Sequence, residues 1–265
     1  MKVAIIGCGA IGSFIAEAIE YGGIGAEISY IYDVDRQRAD ALATKVESRI
    51  ASSFYEILNS DVDIVIEAAS KKAAQDILKR ALPAGKSVLL MSIGALADMS
   101  FLEEAFLLAE KGNSRIYLPS GAVGALDALK SAREAGLEEV TLITTKPVQA
   151  LMGALIDVKL EEIEEKTLLF EGNAGEAIKV FPQNVNVAIA ISLSGIGVEK
   201  TKVKVFADPD AELNMHEIYA RGAFGSLYFK VENLPSPQNP KTSYLAALSA
   251  VATLRRISSR LKIGT

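Results

Sequence analysis

Short apolar blocks alternate with helix-periodic stretches along the first third of the chain. Lys2–Ile6 reads Lys-Val-Ala-Ile-Ile, a β-branched and nearly all-apolar run of the kind found in strands buried on both faces. It runs into Gly7-Cys8-Gly9-Ala10-Ile11-Gly12. From Ser13 to Tyr21 the spacing predicts a helix with Phe14, Ile15, Ala18 and Ile19 on one face, stopped by Gly22-Gly23. Ile28–Tyr32 is a second strand, closed by Asp33, and Asp35 to Val46 is a helix capped at its start. Ile64–Glu67 is a third buried strand, Ala68-Ala69-Ser70 its turn, and Lys71 to Ala81 the next helix. Ser87–Met91 and Arg115–Leu118 complete the strands of this part. Strands and helices in this alternation predict an α/β fold, a doubly wound parallel sheet of Rossmann type.

The pattern changes after Pro119. Pro119-Ser120-Gly121-Ala122-Val123-Gly124 is a turn, Ala125 to Ala135 a helix, and Thr141 to Thr145 alternates as a half-buried strand. Thr167–Glu171 is a further strand, and Gly172-Asn173-Ala174-Gly175 opens a helix through Val180. Phe181-Pro182-Gln183-Asn184-Val185-Asn186-Val187 then leads into an apolar helix ending near Gly195. Lys202–Phe206, Leu213–Tyr219 and Phe224–Val231 alternate, the last two as antiparallel strands around Gly222. Leu234 to Lys241, with three prolines, reads as a loop, and Thr242 to about Leu261 as an Ala- and Leu-rich helix. These elements predict an α+β substrate domain beside the first. The expected boundaries are residues 1–120, 121–240 and 241–265, the last a helix packing back on the first domain.

The chain has 265 residues, which at roughly 150 per domain allows one to two domains. A net charge of −5 without a basic run argues against nucleic acid as a partner. Cys8 is the single cysteine, so no intrachain disulfide and no four-cysteine zinc site can form. With one histidine besides, no metal-ligand cluster is visible and no metal is expected. Only four apolar residues separate Lys2 from Gly7, and no apolar run reaches the roughly 18 residues of a membrane span. A cytoplasmic protein without a membrane partner is expected.

The glycine turn carries a mechanism. Gly7 permits the sharp exit from the strand, Gly9 lets the backbone approach a pyrophosphate, and Gly12 lets the helix pack closely on the sheet. The phosphates would rest on the free N–H groups at the positive end of the helix, and Ala10 and Ile11 of the turn join the cofactor-binding candidates. Asp33, 21 residues beyond Gly12, would accept hydrogen bonds from the adenosine ribose. Its charge favours NAD over NADP, although Arg36 could pair with a 2′-phosphate. Ala69 and Ser70, in the turn after the third strand, join the cofactor-binding candidates. Asn184 and Asn186 can cap a helix or hold a nicotinamide carboxamide. His216 is the only imidazole and the simplest acid or base near neutral pH, although a lone histidine is more often structural. Arg221, Lys241 and Lys146 are candidate carboxylate binders.

Five segments together resemble the L-aspartate dehydrogenase family over nearly the whole chain. They are Pro119–Ala122, Phe181–Val187, Ala207-Asp208-Pro209, Asn214-Met215-His216 and Pro235–Ser243. The resemblance implies a Rossmann domain, a homodimer, NAD or NADP as cofactor, His216 as the catalytic residue, and nicotinamide-side contacts from Gly121, Ala122 and Asn186. It implies oxidation of L-aspartate to iminoaspartate, then oxaloacetate and ammonia, as the first step of pyridine nucleotide biosynthesis, with a functional coupling to quinolinate synthase. The two substrate carboxylates need donors, a lysine, an arginine, hydroxyls or a helix N-terminus such as the one after Gly172, and Lys241-Thr242-Ser243, at a loop-to-helix junction, is the preferred set. The competing readings are another two-domain dehydrogenase acting on homoserine or an imine, a non-catalytic dinucleotide sensor, and an NAD-assisted lyase or cyclodeaminase.

Overall fold

The computed structural model describes residues 1–152, 154, 158–181, 185–237 and 239–264, with backbone only for Val185, Asn239, Pro240 and Lys241. The chain forms two compact units, one of Met1–Pro119 with Ala247–Ile263, the other chiefly of Ser120–Ala246.

The first unit runs β1 (Lys2–Ile6), α1 (Ala10–Tyr21), β2 (Glu27–Tyr32), α2 (Arg36–Lys45), β3 (Arg49–Ile50), α3 (Phe54–Leu58), β4 (Ile64–Glu67), α4 (Lys71–Ala81), β5 (Ser87–Leu90), α5 (Met99–Lys111) and β6 (Ile116–Tyr117). The six strands are parallel, in the order β3-β2-β1-β4-β5-β6. The chain leaves β1 toward β2 and returns to β4 on β1's other side, the topological switch point at which open α/β sheets bind ligands. Central strands account for the unbroken apolar runs. Val3, Ile5, Ile31, Ile66 and Leu89 are buried with Ile15 and Ile19 of α1 and Leu42 of α2.

The second unit runs α6 (Leu126–Glu134), β7 (Leu137–Pro147), β8 (Thr167–Asn173), α7 (Ala174–Val180), α8 (Val185–Ser194), β9 (Lys202–Asp208), β10 (Asn214–Gly222), β11 (Gly225–Asn233), β12 (Pro235–Ser236) and β13 (Asn239–Ser243). The main sheet has the order β11-β10-β7-β9-β8, and only β7 and β9 are parallel. Alternation places Val140, Leu142, Thr144, Val203, Val205, Ala207, His216, Ile218 and Ala220 on a buried face. The opposite face exposes Tyr219 and Tyr228, whose rings lie 4.6 Å apart. The last helix, α9 (Tyr244–Ser258), contributes Ala250 and Leu254 to the core of the first unit.

Several boundaries differ from the sequence expectation. Helix α1 begins at Ala10, not Ser13, because Gly9 is its N-cap. Strand β6 is only Ile116–Tyr117, and α5 was not foreseen. The three-proline segment is not a plain loop: β12 and β13 pair antiparallel. Thr242 and Ser243 therefore belong to a strand, and α9 starts two residues later than expected.

Candidate active site

In the first unit, the glycine turn is forced by its own packing. Gly7 has φ +100°, and a Cβ there would stand 2.5 Å from the Ala68 carbonyl oxygen. A Cβ on Gly12 would stand 1.9 Å from the Gly7 carbonyl oxygen. These two positions exclude a side chain for the sake of the turn itself. Gly9 is different: its φ of −74° suits any residue, and a Cβ there would meet nothing within 4 Å. The fold does not require glycine at this point, so the space above it is a cradle kept clear for something else. Helix α1 carries no side-chain cap and no acidic residue in its first turn, which leaves its positive end to an anion.

Asp33 stands beside this cradle. Its Oδ2 accepts the Cys8 N–H at 2.6 Å and its Oδ1 accepts the Asp35 N–H at 2.8 Å. The carboxylate is thereby fixed at the end of β2, where a ribose diol would meet it. Burial, with the Asp33 charge, pushes the Cys8 thiol up to about 12. Arg36 pairs with Asp40 at 3.1 Å and Arg38 with Asp35 at 3.2 Å, so both guanidiniums near Asp33 hold carboxylates of α2 or its cap. Across the switch point, Ala69 lies against Gly7, and Ser70 caps α4 by accepting the Ala73 N–H.

Glu67 is a feature that sequence reading missed. It ends β4 with no exposed surface. Its Oε1 accepts the Ala69 N–H and the Ser92 hydroxyl, each at 2.9 Å, and its Oε2 accepts the Ser92 N–H at 2.9 Å. Burial pushes its carboxyl up from the usual range, and the Ser92 and Ala69 hydrogen bonds oppose the shift. This carboxylate ties the turn after β4 to the turn after β5.

The second unit holds the imidazole. His216 is 5% exposed in β10, and its Nδ1 lies 3.0 Å from Thr144 Oγ1 on the neighbouring β7. Burial, then the Lys146 charge, pushes the imidazole down to about 3. Burial also lowers the Lys146 ammonium to about 8. Leu142, Thr144 and Lys146 line one small cleft with Val203 and Val205. On the other side of β10, Asn214 is paired in register with Asn233 of β11. The Asn233 Nδ2 donates to the Ala122 carbonyl at 2.9 Å, which anchors the turn that contains Gly121, at φ +68°. Asn186 is exposed at the second position of α8. Thr242 is half-buried, Ser243 is buried with an Oγ that has no hydrogen-bond partner, and the Lys241 side chain and Asn184 lie outside the described residues. Arg221 pairs with Glu138 and Glu139 on the exposed face, away from His216.

Among the described residues, no group of three His, Cys, Asp or Glu could hold a metal ion. No described helix is long and apolar enough to cross a membrane.

Residues 127–257 match the family described as aspartate dehydrogenase, C-terminal, and residues 7–119 the one described as homoserine dehydrogenase, NAD binding domain. The L-aspartate dehydrogenase of Methanosarcina mazei is 50% identical over all of both chains. That of Methanocaldococcus jannaschii is 43% identical, again over the full length of both. The crystal structure of aspartate dehydrogenase from Thermotoga maritima superposes with a TM-score of 0.79 at 32% identity, covering 100% of this chain and 99% of that one. A dinucleotide cradle and a mixed sheet bearing one buried imidazole, matched from end to end at this identity, show that the chain belongs to the L-aspartate dehydrogenase family.

Proposed function

We propose that the protein oxidises L-aspartate with NAD(P), and that His216 is the base of the reaction. The whole-chain identity with L-aspartate dehydrogenases carries this reading. The cradle over Gly9 fits a dinucleotide: Gly7, Gly9, Ala10, Ile11 and Gly12 would hold the pyrophosphate, and Asp33 the adenosine ribose. Ala69 and Ser70 would border it, with Gly121, Ala122 and Asn186 on the nicotinamide side. The cofactor, when bound, supplies the acceptor for a hydride. NAD is the favoured form, because Asp33 repels a 2′-phosphate and the nearby arginines already hold carboxylates.

The chain's own part is proton handling and positioning. The substrate ammonium must lose a proton before its lone pair can drive hydride from Cα. A neutral imidazole that donates Nδ1–H to Thr144 Oγ1 presents its Nε2 lone pair for that proton. The depressed basicity of His216 keeps the ring neutral at physiological pH. Thr144 holds the ring orientation, and with its Oγ1 as the acceptor Nε2 is left without a proton. Loss of hydride gives iminoaspartate, which water converts to oxaloacetate and ammonia. One substrate carboxylate would meet Lys241, Thr242 and Ser243, whose buried Ser243 Oγ has an open hydrogen-bond capacity.

The pathway place is the first step of NAD biosynthesis, in the cytoplasm, with quinolinate synthase as the consumer of iminoaspartate. A homodimer is the proposed assembly, and Tyr219 and Tyr228 on the exposed sheet face offer apolar area for it. The test is reduction of NAD and NADP, in parallel, with L-aspartate, L-homoserine or no amino acid. Aspartate-dependent reduction, faster with NAD, is expected. Activity on homoserine alone would overturn the reading.

A further inference from the structure

We propose that Lys146 binds one carboxylate of the aspartate substrate beside His216. The proposal rests on the reading of His216 as the base and adds to it a substrate contact.

Position carries the argument. Lys146 follows Thr144 by two residues on β7, which puts the two side chains on one face, about 6.8 Å apart along the strand. Thr144 is the residue that touches the imidazole. On the parallel neighbour, Lys146 is paired with Ala207, a buried residue of the same face. Two amide oxygens on this side lack partners. Asn214 Oδ1 and Asn233 Oδ1 are buried without a hydrogen bond, and Asn233 is only 2% exposed. A cation beside orphaned acceptors is complementary to a molecule that carries both a carboxylate and an ammonium.

The charges around the imidazole are few. Glu217, Arg221, Lys230, Glu232, Glu139, Lys202, Lys204 and Asp208 alternate to the opposite face of the sheet. Helix α8 carries no charged residue, Glu176 and Lys179 lie on the exposed side of α7, and Asp127 pairs with Lys130 on α6. Lys146 is the charged group that acts on His216. Its ammonium disfavours a proton on the ring. A carboxylate placed against Lys146 cancels that effect, so arrival of the substrate makes His216 a stronger base at the moment it is needed.

Succinate, the deaminated analogue of aspartate and a dianion at pH 7, is titrated at that pH into the native chain, Lys146→Met and Lys146→Arg. Lys146→Met should bind it on the order of 10- to 100-fold more weakly, and Lys146→Arg nearly as the native chain does. The single imidazole, read by NMR, should titrate at higher pH in Lys146→Met than in the native chain. The KM of Lys146→Met for L-aspartate should rise on the order of 10- to 100-fold, with the KM for NAD unchanged as the control for folding. Lys146→Arg should recover most of that KM. In the native chain, kcat/KM should show an ionisation near pH 8 that Lys146→Arg removes.

Three results would overturn the proposal: a KM within twofold of native in Lys146→Met, a succinate affinity at pH 7 within twofold of native in the same variant, or a loss of kcat that arginine does not restore. The last would make Lys146 a proton acceptor. The base reading fails separately, on undiminished turnover in His216→Asn.

Discussion

Replacing Gly9 with alanine separates what the fold requires from what the cofactor requires. Within the chain itself the new methyl meets no atom within 4 Å, and the backbone at φ −74° accepts it. Two small effects on stability oppose each other. Alanine is a poorer N-cap than glycine, by up to about 1 kcal/mol, while the stiffer unfolded chain returns about 0.4–1 kcal/mol. Gly9→Ala should therefore melt within about 3 °C of the native protein. Its affinity for NAD should fall much further, because the methyl stands where a pyrophosphate must approach the amides of α1. Loss of one or two charge-assisted hydrogen bonds, at about 1.5–3 kcal/mol each, weakens binding on the order of 100-fold. Fluorescence titration with NADH and thermal unfolding with and without NAD read both quantities on one preparation. NADH affinity within twofold of native, at unchanged stability, would refute the assignment of this turn to a dinucleotide. Gly12→Ala is the contrasting case, since its methyl would sit 1.9 Å from the Gly7 oxygen and the turn could not close.

Asp33→Asn should weaken NAD about tenfold while leaving NADP within a factor of two, because the repelling charge is gone and the ribose contact is poorer; parallel KM measurements check this. Glu67→Ala leaves the Ala69 N–H, the Ser92 N–H and the Ser92 hydroxyl without their shared acceptor, so denaturant unfolding should show a loss of about 3 kcal/mol or more, and a loss below about 1 kcal/mol would contradict its structural role. The depressed His216 makes stability pH-dependent in a defined sense. The unfolded chain takes up this proton near pH 6.5 and the folded chain only near pH 3, so stability falls as pH drops through that window. Between pH 7 and 5 the native protein should lose about 2 kcal/mol more than His216→Asn, read by denaturant titration at each pH.

The first unit was legible because its signals are local. A β-branched run, a glycine turn and a periodic helix lie within 21 residues, and Asp33 closes the next strand. Helix α5 escaped notice because Phe106 and Leu107 sit on its exposed side and blur the apolar stripe. Strand β13 contains Pro240, which normally argues against a strand but is tolerated in a two-stranded hairpin with free edges. The environment of His216 could not be read at all. Thr144 lies 72 residues from it and reaches it only through the pairing of β7 with β10. Asn233 reaches Ala122 across 111 residues in the same way. Glu67 looked like the polar end of a strand; only the adjacent turn after β5 shows why a carboxylate is buried there.

The role of the imidazole is tested most directly by single-turnover hydride transfer in His216→Asn, saturated with NAD and L-aspartate. A rate lower by about 10²–10⁴-fold, with NADH binding within twofold of native, is the result expected for loss of the base. Hydride transfer at the native rate with the ring removed would contradict the account.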